Sequence, residues 1–200
     1  RERDVEGVGV ERAEALLAAG GDSYNVVSDL NNRALAQQQL GRTDLAVASW
    51  DEGLVMARRA LGADHPMVAI LAGNLAEAQV QRGRFGEALA AADLAIAIWD
   101  ARDPRNPTAA WALTARGRVR AARREWPAAQ ADLERALALR STAEVGPSER
   151  ALTELALAEV ARATGEVGRA RALATAARDR FAAASDSRAA AAEALLRALR

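Results

Sequence analysis

The sequence of 200 residues contains no cysteine and no lysine, and its one histidine is His65. The lack of cysteine excludes disulfides, thiolate metal sites and a cysteine nucleophile. The lack of lysine excludes a phosphate-binding loop of the GxxxxGKS/T type. A Ser-His-Asp triad or a histidine metal site would need His65, which stands between Asp64 and Pro66, where capping of a helix is expected. We therefore expect no catalytic residue, no cofactor and no metal.

Aromatic residues are scarce, at 4%, and no apolar run approaches the roughly 20 residues of a membrane span. The opening segment RERDVEGVGV lacks the apolar core of a signal peptide. We expect a cytoplasmic protein without a membrane partner. Because the chain begins at Arg1 instead of Met, we also expect it to be a piece of a longer protein.

The charges balance, with 27 arginines against 27 acidic residues. A net charge of zero gives no global field that would favour nucleic acid or anionic lipid, so we expect no nucleic-acid partner. Half of the residues are apolar and alanine is abundant. This composition favours α-helices that pack closely over small side chains.

An internal repeat is visible when the segments LGRTDLA, RGRFGEA, RREWPAA and TGEVGRA are aligned. The alignment brings three columns of small residues into register, each with spacings of 42, 41 and 41 residues. The columns are Ala46, Ala88, Ala129 and Ala170; Ala34, Ala76, Gly117 and Ala158; and Gly53, Ala95, Ala136 and Ala177. Small residues at equal intervals indicate pairs of helices, A and B, that cross closely at these positions.

The pattern predicts A helices over 24–40, 66–82, 107–123 and 148–163, and B helices over 44–61, 86–101, 126–140 and 167–184. Glycines at 41, 83 and 165 suit left-handed helix ends, whereas Arg124 takes that place in the third repeat. The repeats span about 24–65, 66–106, 107–147 and 148–186 within 23–186. Residues 1–22 are interpreted as an N-terminal helix (Glu11–Gly21) or partial repeat, and 187–200 as a capping helix.

The segments LNNRALAQQQLGRTDLAVASWDEGL and ALGADHPMVAILAGNLAEAQVQRGRFGEALAAADLAI resemble tetratricopeptide repeats of the longer type found in kinesin light chains. The resemblance covers about residues 24–184 and is strongest in the first two repeats. It implies an all-α solenoid of about four helix-turn-helix repeats that acts as a non-catalytic scaffold and binds a partner's peptide or helix in a concave groove. Arrays of this arginine-rich and alanine-rich kind also resemble C-terminal regions of serine/threonine kinases from high-GC bacteria such as myxobacteria.

The register predicts which side chains face that groove. They are Asn31, Asn32, Gln38, Gln39, Asn74, Glu77, Gln81, Trp111, Thr114, Arg118, Glu159 and Arg162. Asparagine side chains at 32 and 74, which are 42 residues apart, can donate to and accept from a peptide backbone. The same amides can instead satisfy neighbouring helix ends or water, and Trp111 can serve packing rather than a ligand.

Alternatives to the scaffold function are a regulatory or substrate-docking tail of a larger enzyme such as a kinase, and a self-associating module that makes a homo-oligomer. The resemblance also allows a comparison with the tetratricopeptide clamp that holds acidic chaperone tails. Of that clamp only Asn74 has a counterpart, since Leu35 and Ala115 stand at two other places and lysine is missing. We expect no such clamp. The arginine run between Arg116 and Arg124 fits a salt-bridged helix surface better than one acidic ligand.

Overall fold

The structure is a computed structural model that describes residues 23–141 and 146–200. Within these ranges the backbone forms nine α-helices and no strand. They are α1 (Ser23–Gln39), α2 (Thr43–Ala60), α3 (Pro66–Gln81), α4 (Phe85–Arg102), α5 (Ala109–Ala122), α6 (Trp126–Ser141), α7 (Pro147–Ala163), α8 (Val167–Ala183) and α9 (Ala189–Ala198). The helix predicted over Glu11–Gly21 lies outside the described residues.

The helices form consecutive pairs, in which an A helix packs mainly on the B helix that follows it. The A helices are α1, α3, α5 and α7; the B helices are α2, α4, α6 and α8; and α9 packs on α8 as a cap. The predicted fold class, an all-α array of helix pairs closed by a capping helix, is confirmed for the described residues. The chain divides into two compact units, one ending at Pro104 with α1 to α4 and one beginning at Arg105 with α5 to α9.

Each turn from an A helix to a B helix contains one residue in the left-handed region. These residues are Gly41, Gly83, Arg124 and Gly165, with φ of 73°, 71°, 61° and 86°. The following amide N–H donates to the carbonyl five residues earlier, as from Glu125 to Arg120 at 2.9 Å. This bond closes the last helical turn, as in a Schellman motif. The third repeat therefore keeps the turn geometry even though arginine occupies the position that favours glycine.

The three columns of small residues lie at contacts between helices, and Gly53 meets both its own pair at Leu30 and the next pair, more closely, at Leu71. All of their members are buried. Gly117 shows why small residues are needed, because a Cβ atom at that position would lie 2.6 Å from Cγ of Leu133 and 3.3 Å from the carbonyl oxygen of Ala129. Helices α5 and α6 can approach this closely only because residue 117 has no side chain.

The starts of the A helices agree with the sequence analysis except in α5. At α3, His65 is the N-cap, and its Nδ1 accepts from the backbone N–H of Met67 at 3.1 Å. The predicted start of α5 at residue 107 is two residues early. Asn106 Oδ1 accepts from the backbone N–H of Thr108 at 3.0 Å, and this turn precedes the first helical residue, Ala109. A side-chain oxygen that bonds locally to the backbone offers an alternative to helix.

Three register positions at the contacts between A and B helices alternate in chemistry along the chain. In the first pair, Arg33 Nε donates to Ser49 Oγ at 3.2 Å, and that hydroxyl donates to Gln37 Oε1 at 2.8 Å. In the third pair, Arg116 and Arg120 take the places of Arg33 and Gln37, and Asp132 takes the place of Ser49. Both guanidinium groups donate to the buried Asp132 carboxylate at 2.7 to 2.9 Å.

The second and fourth pairs have uncharged residues at the same three register positions. These are Leu75, Gln79 and Ala91 in α3 and α4, and Leu157, Ala161 and Leu173 in α7 and α8. The first five are buried, and Leu173 packs on the apolar clusters of the second unit. These three positions are therefore polar in the first and third pairs and uncharged in the second and fourth. The fourth pair has an ion pair at other positions, where Arg180 Nε of α8 donates to the buried Glu154 carboxylate of α7 at 3.0 Å.

Candidate functional site

The predicted groove residues lie on the four A helices and divide between the two units. In the first unit they form an amide surface on α1 and α3, made of Asn31, Asn32, Gln38, Gln39, Asn74, Glu77 and Gln81. In the second unit they lie on α5 and α7. Because α1 and α3 contact each other directly, as do α5 and α7, each unit brings its own set of side chains together.

The centre of the amide surface is a hydrogen-bonded chain of three side chains. Nε1 of the fully buried Trp50 donates to Asn31 Oδ1 at 3.1 Å, and Asn74 Nδ2 donates to the same oxygen at 3.0 Å. A buried indole N–H requires an acceptor, and Asn31 provides it. The bond from Asn74 then fixes the orientation of the α3 amide relative to α1.

The remaining members of the amide surface differ in accessibility. Asn32, Gln39 and Gln81 are exposed, whereas Gln38 is half-buried and Glu77 is 6% exposed. Gln81 Nε2 donates to Glu77 Oε1 at 3.3 Å. Asn32 and Asn74 occupy equivalent positions in the repeat but differ in structure. Asn32 faces solvent, whereas Asn74 bonds to Asn31 on the neighbouring helix α1.

Thr114 does not lie on an accessible surface, so its assignment to an open groove is wrong. The side chain is fully buried, and its Oγ1 donates to the carbonyl oxygen of Ala110 at 2.7 Å and lies 3.0 Å from Thr153 Oγ1. The cause is the packing of α7 on α5, which covers the middle of the A helix that periodicity alone would leave open.

Trp111 is half-buried and packs on the apolar cluster of the second unit that contains Ala151, Leu152 and Leu155. The guanidinium carbon of Arg140 lies 4.6 Å from the centroid of the Trp111 ring. Arg140 is itself 2% exposed. A desolvated cation over an indole face is a favourable contact, and it links α5 to α6.

Three charged side chains complete the A-helix residues of the second unit, and we call them the charged surface: Arg118 on α5 with Glu159 and Arg162 on α7. Glu159 and Arg162 are exposed and Arg118 is half-buried. The pKa of Glu159 is raised because the surrounding protein removes part of the hydration of its carboxylate, and the positive charges of Arg118 and Arg162 oppose this rise.

The arginines between Arg116 and Arg124 divide among separate contacts. Arg116 and Arg120 bond to Asp132, Arg118 faces Glu159, and Arg123 is exposed. Sequence reasoning missed the role of Asp132. The sequence feature that could have revealed this role is an acidic residue at a repeat position where the other three repeats have Ser49, Ala91 and Leu173.

The described residues show no catalytic constellation. His65 is occupied as a helix cap, and no group of three histidine, aspartate or glutamate side chains between residues 23 and 141 or 146 and 200 is arranged to hold a metal ion. None of the helices in the same ranges is long and apolar enough to cross a membrane.

Comparison with known proteins agrees with this architecture. Residues 27–101, which contain most of α1 and all of α2 and α3 with nearly all of α4, match the family model for the tetratricopeptide repeat. This segment consists of tetratricopeptide repeats. Tetratricopeptide repeats generally mediate protein–protein interactions and are generally non-catalytic. No curated protein matches the sequence.

Solved tetratricopeptide structures share the fold over most of the chain. BtubC (BKLC) from P. vanneervenii has a TM-score of 0.66 at 23% identity, and the match covers 82% of this chain and 66% of that one. A kinesin light chain protein of Podosopora anserina, whose TPR-like repeats are nearly identical to one another, has a TM-score of 0.64 at 20% identity. The match covers 86% of this chain and 84% of that one. The TPR2AB domain of yeast Sti1, in a complex with pHSP90, has a TM-score of 0.52 at 16% identity, covering 99% and 80%.

Proposed function

We propose that this chain is a non-catalytic interaction module that binds an extended peptide or helix of a partner protein along its A helices. The observation that most directly supports this proposal is the hydrogen-bonded chain from Trp50 through Asn31 to Asn74. It holds the half-exposed Asn74 amide in one orientation before any ligand arrives. A group held in place loses little conformational freedom on binding, so its hydrogen bonds contribute more to affinity.

The amide surface suits recognition of a peptide backbone. The bond to Asn31 uses one N–H of Asn74, and its second N–H and its carbonyl oxygen can pair with a peptide C=O and N–H. Exposed Asn32, Gln39 and Gln81 extend the same chemistry along α1 and α3. Amides accept and donate without regard to the ligand's side chains, so this surface contributes affinity more than specificity.

The charged surface is the proposed source of specificity in the second unit. Arg118, Glu159 and Arg162 present two positive charges and one negative charge on α5 and α7. Complementary charges on a partner select the correct register and exclude others by repulsion. Thr114, being buried, and Trp111, being engaged with Arg140, are left out of the proposed binding residues.

A chaperone-tail clamp is not part of the proposal. Of the clamp residues implied by the family resemblance, this chain has only Asn74; Leu35 is half-buried and Ala115 is fully buried at the other places. The complex of yeast Sti1 with pHSP90 is therefore a precedent for the fold and not for the ligand. We further propose a cytoplasmic, bacterial protein, and the resemblance to arginine-rich and alanine-rich arrays of high-GC bacteria supports the bacterial origin.

The test is a quantitative pull-down from the native lysate with two triple variants. The surface variant carries Asn32→Ala, Asn74→Ala and Arg118→Ala. The control variant carries Arg58→Ala, Glu87→Ala and Glu193→Ala, which are exposed charges on α2, α4 and α9. Each lost hydrogen bond contributes about 1 kcal/mol, so the surface variant is expected to bind its partner more than about tenfold more weakly.

The control variant is expected to retain the partner at the level of the original chain, and circular dichroism confirms equal helicity in all three proteins. Equal retention by the surface variant would exclude the A helices as the binding site. A kinase-tail function, the second candidate from the sequence, is tested separately by reading the open reading frame upstream of Arg1 for the Gly-rich loop, HRD and DFG motifs.

A further inference from the structure

The two compact units carry opposite net charges, although the whole chain is neutral. Residues 1–104 contain 10 arginines and 16 acidic residues, a net charge of −6 with histidine neutral. Residues 105–200 contain 17 arginines and 11 acidic residues, a net charge of +6. The total of zero is therefore the sum of an acidic unit and a basic unit, and each unit has a field of its own although the whole chain has no net charge.

The separation of charge is sharpest on either side of the boundary between the units. Residues 105–124 contain six arginines and no acidic residue, whereas residues 85–104 contain four acidic residues and only Arg102 as a base. In the acidic unit, Asp29, Asp64 and Glu87 are exposed. In the basic unit, the exposed charges include Arg123, Arg124 and Arg197.

Ion pairs within a unit do not remove its surplus charge. The bonds of Asp132 to Arg116 and Arg120, and of Asp44 to Arg82 at 2.8 Å, combine local charges but leave the sum for each unit unchanged. A charge of about six of one sign produces a potential that acts on a partner at distances comparable with the Debye length. Each unit therefore attracts an object of the opposite sign and repels an object of its own sign.

We propose that the acidic unit of one copy of this chain binds the basic unit of a second copy. A second copy is the partner for which the complementary charge is known, because the chain itself carries both signs in equal amount. Contacts between like units are repulsive, so electrostatics selects the acidic-to-basic arrangement among all possible encounters. This interaction uses the net charge of the units and does not depend on peptide binding at the A helices.

The first test is the mass of the purified chain at low and high salt, measured by sedimentation equilibrium over a range of concentrations. At about 0.01 M salt the Debye length is about 30 Å, and at about 1 M it is about 3 Å. We expect a mass that rises above the 21.1 kDa of one chain with concentration at low salt and returns to it at high salt. A single-chain mass at both salt concentrations, or an association that salt strengthens, would overturn the proposal.

The second test neutralises one unit at a time. The acidic-unit variant carries Asp29→Arg, Asp64→Arg and Glu87→Arg, and the basic-unit variant carries Arg123→Glu, Arg124→Glu and Arg197→Glu, so that the altered unit has a net charge of zero. Each variant alone is expected to stay monomeric at low salt, whereas an equimolar mixture is expected to associate. Association of either variant alone to the extent of the original chain would contradict the pairing of units.

A balanced variant controls for the number of substitutions. It carries Arg58→Glu with Glu87→Arg in the acidic unit and Arg123→Glu with Glu193→Arg in the basic unit, so both unit charges stay as they are. It is expected to associate like the original chain. Loss of association in this variant would show that particular residues, and not the charges of the units, form the contact. If the basic unit instead serves an acidic peptide, the chain stays monomeric and binds a poly-glutamate probe, which also overturns the proposal.

Discussion

Arg116 donates two parallel hydrogen bonds to the carboxylate of Asp132, at 2.9 Å and 2.7 Å, across the contact between α5 and α6. Arg120 donates a third at 2.8 Å. The carboxylate side chain is only 6% exposed, and the two arginines are 17% and 27% exposed. A buried carboxylate is tolerated when such charge-assisted bonds satisfy it. Asp132 is therefore the group that holds the third helix pair together on its polar side.

Removal of this carboxylate is expected to destabilise the protein strongly. Asp132→Ala leaves two partly buried guanidinium groups without their acceptor, and we expect the free energy of unfolding to fall by about 3 kcal/mol. Urea denaturation measures this change. Asp179→Ala, which removes an exposed carboxylate that accepts from its neighbour Arg178, serves as the control and should stay within about 0.5 kcal/mol of the original.

A triple variant distinguishes the loss of the ion pairs at Asp132 from the loss of side-chain packing. Arg116→Leu, Arg120→Ala and Asp132→Leu install the residues that the fourth pair has at Leu157, Ala161 and Leu173. Replacement of a buried ionic cluster by apolar residues is often neutral or stabilising. We expect this variant to be more stable than Asp132→Ala. If the two are equally unstable, the ion pairs are not the cause of the loss.

Gly117→Ala is expected to lower stability because of a steric conflict with Leu133. The new Cβ would lie 2.6 Å from Leu133 Cγ, and overpacking of this kind costs about 1 to 3 kcal/mol. Gly168→Ala, in the same unit with no heavy atom within 4 Å of its Cβ, is expected to leave thermal stability unchanged or raised. Combining Gly117→Ala with Leu133→Ala should cost less than the sum of the single changes.

Arg124→Gly is expected to stabilise the chain by about 1 kcal/mol, since the left-handed conformation strains any residue with a Cβ atom. Arg124 has φ of 61°, and the other three repeats use glycine there. Arg123→Gly is the matched control, because Arg123 has φ of −85° and gains nothing from glycine. Differential scanning calorimetry should show a higher melting temperature for the first variant only. Equal shifts in the melting temperatures of both variants would show that backbone strain at Arg124 is not the cause.

Glu159→Gln is expected to change stability in a manner that depends on pH. The pKa of Glu159 is raised in the folded state by loss of hydration, so the folded protein binds a proton more tightly than the unfolded chain, whose glutamate pKa is about 4.3. The charged carboxylate therefore costs stability at neutral pH, and this cost disappears as pH falls through the folded pKa to about 4.

We expect Glu159→Gln to raise the free energy of unfolding at pH 7 by no more than about 1 kcal/mol, since solvent screens an exposed group. The difference from the original chain should vanish near pH 4. Glu193→Gln, an exposed carboxylate on α9, is the control. A benefit of Glu159→Gln that is the same at both pH values would show that hydrogen bonding and not charge is responsible.

Periodicity in the sequence was sufficient for the helices and for the contacts within each pair. Small residues recur because close crossing requires them, so Ala34 and Gly117 could be placed at an interface without a structure. The spacing of small residues could not show which helices of other pairs pack on an A helix. Thr114 is buried by α7, and that packing depends on the next repeat.

The candidate site was predictable only in part for a related reason. The positions of Asn31 and Asn74 on neighbouring A helices follow from the register. The hydrogen bond between them, and the bond that Trp50 donates to the same oxygen, depend on side-chain directions that spacing does not contain. The correction for Thr114 and the bond between Asn31 and Asn74 both come from contacts made by a neighbouring helix.

The alternation of polar and uncharged residues at three register positions of the helix pairs also restricts which helices can assemble correctly. An array of similar hairpins can misassemble when an A helix docks on a B helix from the wrong repeat. If α5 docked on α8, Arg116 would meet Leu173 in place of Asp132 and would lose the two hydrogen bonds that it donates to that carboxylate. If α7 docked on α6, Leu157 would cover the Asp132 carboxylate. Docking of helices between the third and fourth pairs would therefore leave a buried charge without the hydrogen bonds it makes in the correct pair. The free-energy cost of that loss favours the correct order of assembly.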